Sequence, residues 1–185
     1  MKALLQLFWQ ILRFKRGPED VPYAINLLWL LLIINLTLSI FTQYIARPNQ
    51  ANIVVFLPLI SLSVECVVLY SLLHFKRLSA RFVQTFTTVL GVDSLLTLAS
   101  IPLIILGIAF IQQNALLKIL GLLEVILVGW SIAVRAFIYH RALNIGLLLA
   151  NILAVMVLLL SLSVTVKVFP ELFEQAKAAA SQSSR

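Results

Sequence analysis

The 185-residue chain is 62% hydrophobic and 11% charged, with a net charge of +7 and a mean hydropathy of +1.05. A water-soluble domain carries roughly 25% charged residues to hydrate its surface, so this composition excludes a soluble globule and makes a bilayer the solvent. The bases fall in short clusters between apolar runs, which fits membrane orientation and contact with anionic headgroups and argues against nucleic acid as a partner.

Residues 1–20 are expected to form an interfacial amphipathic helix and a linker. Lys2, Gln6, Gln10, Arg13 and Arg16 recur every three or four positions, and Leu, Ile, Phe and Trp fill the remainder. That periodicity suits a helix lying at the membrane surface, with Lys2, Arg13, Lys15 and Arg16 near lipid phosphates and Trp9 at headgroup level. Gly17-Pro18 closes it.

Residues 21–169 are expected to form an all-α, five-span transmembrane bundle. The first span, Val21 to Ala46, contains no charge and at 1.5 Å per residue crosses a hydrocarbon core of about 30 Å. Pro22 is placed in its first turn. After the turn at Arg47-Pro48-Asn49-Gln50 comes a second span, about Asn52 to Leu73, and then a basic loop holding His74, Lys76, Arg77 and Arg81. Between Phe82 and Leu117 the only charge is Asp93. As a helix this stretch is about 54 Å long, too long for one straight crossing and too short for two with a loop. It is read as one span to about Ile111, bent or broken near Pro102, with a turn at Gln112-Gln113-Asn114. A fourth span, about Leu116 to Tyr139, leads to a loop at His140-Arg141. The fifth span is about Leu143 to Val168, followed by Pro170. Residues 170–185 read as a polar C-terminal tail.

Lys2, Arg13, Lys15, Arg16, Lys76, Arg77, Arg81, Arg135 and Arg141 fall toward one side of this plan, against Arg47, Lys118, Lys167, Lys177 and Arg185 toward the other. The positive-inside rule puts the N-terminus in the cytoplasm and, with an odd span count, the C-terminus across the membrane.

Three carboxylates interrupt the apolar spans: Glu65, Asp93 and Glu124. A charged Asp or Glu at the centre of a span costs about 2.5 to 3.5 kcal/mol on insertion scales and tends to face the bundle interior or a wet cavity. Lying on consecutive spans within roughly two turns of the midplane, the three could converge on one protonatable or cation-binding site. The blander alternative makes each a helix contact, neutral or hydrogen-bonded to a hydroxyl on its own face: Ser61 for Glu65, Thr97 and Ser100 for Asp93, Ser131 for Glu124. Arg135 shares a face with Glu124 eleven residues away, too far for a direct pair, and is expected to snorkel to the headgroups. Gln84, Thr88 and Gly91 lie nearly opposite Asp93, Thr97 and Ser100, which places the third span near the bundle centre. His74 and His140 read as interfacial residues.

The zinc-binding His pair, the nucleophile elbow and the phosphate-binding glycine loop are all missing. Gly91-Val92-Asp93 stands without the second intramembrane aspartate that aspartyl chemistry needs. Cys66 is the sole cysteine, which excludes an internal disulfide and argues against a thiolate metal site. No catalytic role and no cofactor or metal are expected.

The five-span plan resembles the Yip family (Ypt/Rab-interacting membrane proteins) and its bacterial relatives. The resemblance covers about Lys76 to Phe169, including KRLSARFVQTFTTVLGVDSLLTLASIPL and VGWSIAVRAFIYHRALNIG. Eukaryotic members have a long cytoplasmic N-terminal region where this chain has about 20 residues, so no GTPase-binding residues carry over. The resemblance implies a bacterial inner-membrane protein acting through other membrane proteins or on membrane organisation. The competing expectation is a small transporter or proton-coupled channel built on Glu65, Asp93 and Glu124.

Overall fold

A computed structural model describes residues 2–48, 50–110 and 113–170. The chain is an all-α polytopic bundle, with six α-helices among the described residues: α1 Lys2–Leu12, α2 Ile25–Ala46, α3 Ala51–Phe75, α4 Phe82–Ala109, α5 Asn114–Leu143 and α6 Leu147–Val168. Helices α2 to α6 are each long and apolar enough to cross a membrane, and the protein is an integral membrane protein. The expected tail, Glu171 to Arg185, lies outside the described residues, as do Ile111 and Gln112 of the third span's end and turn and Asn49 of the first turn.

The element boundaries show local chemistry overriding hydropathy. The first span starts at Ile25, not Val21. Val21 precedes a proline and is held extended at φ −80°, ψ 130°, as the proline ring requires of its neighbour. Its side chain is buried, and its carbonyl accepts a hydrogen bond from Gln84 Nε2 at 3.0 Å. The fourth span does not end at Tyr139. His140 and Arg141 sit inside the last turn of α5, where cations favour the negative end of the helix dipole. The loop is instead Asn144 to Gly146. Asn144 adopts a left-handed conformation at φ 50° and ends the helix, and the His140 ring bonds the Ile145 carbonyl. Consequently α6 begins at Leu147, not Leu143. Pro102 lies within an unbroken α4, so the span from Phe82 to Ala109 is one helix.

The third span is central, as its two polar faces require. On one side α4 meets α1, where the Phe8 ring is pressed against Gly91 so closely that a Cβ there would stand 2.5 Å from the ring. On other sides it packs against α2, α3 and α5. The apolar face of α1, Leu7, Phe8, Ile11 and Leu12, is buried in the protein core, whereas the sequence had assigned that face to the bilayer. Phe14, left-handed at φ 59°, places its ring 5.5 Å from Trp130 and 5.4 Å from Phe137 on α5. Lys2, Arg13, Lys15 and Arg16 are exposed. At the same end of the bundle, Lys76 Nζ caps the C-terminus of α5 through the Leu143 carbonyl at 2.9 Å, and Arg141 pairs with Glu19.

Candidate intramembrane site

Four helices present polar stripes to one cavity. On α2 the stripe is Asn35, Ser39 and Gln43; on α3, Ser61 and Glu65; on α4, Asp93, Thr97 and Ser100; on α5, Ser131 and Arg135. Spacings of three or four residues keep each set on one helical face. The cavity measures about 300 Å³ and is open rather than sealed. It extends toward the bundle end where α2 meets α3 and α4 meets α5.

The floor is an ion-paired network. Arg135 Nε donates to Glu65 Oε1 at 3.1 Å, and its Nη2 donates to Asp93 Oδ2 at 2.5 Å. Tyr139 Oη donates to the same Glu65 oxygen at 2.7 Å. Glu65 lies about 15 Å from the C-terminal end of α3, Asp93 about 16 Å from the start of α4 and Arg135 about 12 Å from the end of α5. The three therefore share one layer, and the long guanidinium arm closes the remaining gap. Glu65 is 6% exposed and Tyr139 1%. Burying two acids in an apolar bundle is tolerable because a guanidinium offers planar donors to both.

Beside this floor, Asn35 is 7% exposed. Its Nδ2 makes long contacts of 3.5 Å to the Leu90 carbonyl and to Ser94 Oγ. A carbonyl can only accept, so the amide nitrogen must face Leu90. Glu65 and Arg135 also line a second cavity of about 190 Å³ between α3, α5 and α6. The pair thus forms a partition between the two spaces. Across the second cavity, Ser161 Oγ and Ser61 Oγ lie 3.1 Å apart.

Two of the three carboxylates singled out in the sequence, Glu65 and Asp93, converge here. Glu124 does not join them. It is exposed on α5 and has no ion pair among the described residues. Eleven helical residues separate it from Arg135, about 16 Å along the axis. Three of the hydroxyls expected as partners for the acids are engaged elsewhere: Ser100 Oγ donates to the Thr97 carbonyl, Ser131 Oγ to the Val128 carbonyl, and Ser61 Oγ pairs with Ser161 Oγ. Arg135, expected to snorkel outward, turns inward because two carboxylates in its own layer outbid the headgroups. Tyr139 and the Asn35 stripe were missed altogether. The signal was available in the spacing Asn35, Ser39, Gln43, which marks one polar face on an otherwise apolar span. No family model, no curated protein and no solved structure matches the chain.

Proposed function

We propose that the protein is a non-enzymatic carrier that moves a small polar solute, coupled to protons or cations, through the cavity ending at Glu65, Asp93 and Arg135. The observation that carries this reading is the joining of an open polar cavity to a buried acid–base network. Helix contacts alone require no cavity, and ionisable side chains in spans that line one mark solute or proton paths. The Glu65–Arg135 partition between two cavities is the kind of element whose rearrangement alternates access. By the positive-inside argument the N-terminus is cytoplasmic and the larger cavity opens on the far side; the bacterial inner membrane is what the Yip resemblance implies.

The test is uptake of a labelled panel of small amines, amino acids and polyols into proteoliposomes. At least one should accumulate above protein-free vesicles, and Asp93→Asn, which keeps shape and hydrogen-bonding capacity but cannot ionise, should abolish that uptake in a folded protein. Uptake of nothing, or full uptake by Asp93→Asn, would overturn the reading.

A second reading, action through membrane partners as the Yip resemblance implies, is favoured by one feature. Helix α1 leaves Leu5 and Trp9 exposed beside the exposed cations Arg13, Lys15 and Arg16, a surface suited to anionic lipid or a neighbouring membrane protein.

A further inference from the structure

We infer that the buried end of the larger cavity is an acceptor site for a primary ammonium group, so that the solute is a small amine or an ammonium-bearing zwitterion; this rests on the carrier function proposed above. The argument begins with unspent hydrogen-bonding capacity. Both bonds to Glu65 arrive at Oε1, leaving Oε2 without a donor among the described residues. Asp93 receives Arg135 at Oδ2, leaving Oδ1 free in the same sense. Asn35 spends its amide nitrogen on Leu90 and Ser94, and its Oδ1 receives no donor among the described residues.

Glu65 and Asn35 are more than nine-tenths buried, and all three side chains line the cavity. These oxygens face the open cavity, where only water or a ligand can donate to them. A primary ammonium carries three N–H donors and no acceptor, which matches the three free oxygens.

Charge points the same way. Two carboxylates face one guanidinium, so with both acids ionised the floor carries a net negative charge that a monocation neutralises. At the rim, Arg47 Nη1 donates to Gln43 Oε1 at 3.1 Å, so the attraction for a cation is confined to the floor, where the two acids outnumber the guanidinium. Among the described residues no aromatic side chain lines the cavity, so a quaternary ammonium, which has no N–H and is held by ring faces, fits poorly.

The experiment uses the full chain in lipid nanodiscs, with Thr97→Cys as a reporter on a Cys66→Ala background. Thr97 lines the cavity one turn from Asp93. Three methanethiosulfonates are applied, aminoethyl, hydroxyethyl and sulfonatoethyl, each rate being divided by that reagent's rate with a free thiol. The ammonium reagent should react about tenfold faster than the neutral one, and the sulfonate slowest. Ethylammonium should protect the cysteine where tetramethylammonium does not. Asp93→Asn should erase the preference. Should that variant not fold, the ethylammonium protection decides alone. Equal rates for the ammonium and neutral reagents, or equal protection by both ammonium salts, would overturn the acceptor site while leaving an accessible cavity and the carrier reading intact. Failure of every reagent to reach the cysteine would overturn both.

Discussion

Replacing Arg135 with Gln tests whether the intramembrane network is a stability element or an incidental contact. The substitution removes the 3.1 Å bond to Glu65 and the 2.5 Å bond to Asp93 and leaves both acids in place. Side-chain exposure is 23% for Arg135, 8% for Glu65 and 18% for Asp93, so all three count as largely buried. Breaking a buried pair by removing one partner costs about 3–5 kcal/mol, because a charge is left uncompensated. An exposed pair costs about 0–1 kcal/mol. Equilibrium unfolding in mixed micelles should therefore show Arg135→Gln destabilised by about 3–5 kcal/mol. Neutralising the acids as well, Glu65→Gln and Asp93→Asn together with Arg135→Gln, should recover most of that loss, since whole buried ion pairs can be replaced at little net cost. A single variant within about 1 kcal/mol of the parent, or a triple variant less stable than the single, would refute the reasoning.

Tyr139→Phe removes one hydrogen bond to the Glu65 carboxylate and should cost about 1.5–3 kcal/mol in the same assay. Gly91→Ala should lift α1 from α4, because the added Cβ stands 2.5 Å from the Phe8 ring. The overpacking costs about 1–3 kcal/mol and should appear as faster trypsin cleavage at Lys15 and Arg16, reversed by adding Phe8→Ala. Reporter fusions should place the Lys76–Arg81 loop in the cytoplasm and the segment after Phe169 across the membrane; finding the two on one side would break the five-span topology.

Span number and the central place of α4 were legible because hydropathy and helical spacing depend on the chain's own residues. The start at Ile25, the end at Leu143 and the continuity through Pro102 were not, since each is decided by backbone chemistry at one or two positions. The site was half legible. A lone acid in an apolar span is a strong signal, and Glu65 and Asp93 proved to be neighbours. Arg135 was misplaced because near a span end the choice between snorkelling outward and pairing inward depends on which helices pack beside it. Spacing along α5 alone contains no information about α3 and α4, and the same limit hid Tyr139.

Glu124 is the residue for which this distinction still has a consequence. It falls on one stripe of α5 with Val128, Ser131 and Arg135, at spacings of four, three and four residues, and those three all line the cavity. Glu124 is exposed one turn beyond them, about 6 Å further along the axis from Val128, on the side away from the ion-paired floor. A carboxylate in that place adds a negative charge beside the mouth, where Arg47 on Gln43 sets a positive one, and its influence would be on arrival rather than on final binding. Glu124→Gln should therefore slow the reaction of the aminoethyl reagent with Thr97→Cys several-fold at low ionic strength and leave the hydroxyethyl reagent unaffected. In about 1 M salt, where charges are screened beyond roughly 3 Å, the difference should vanish. A salt-independent change would mean that the substitution distorts α5. No change at any salt would mean that Glu124 faces lipid or another protein, and the path to Asp93 would then begin at Gln43 and Ser100.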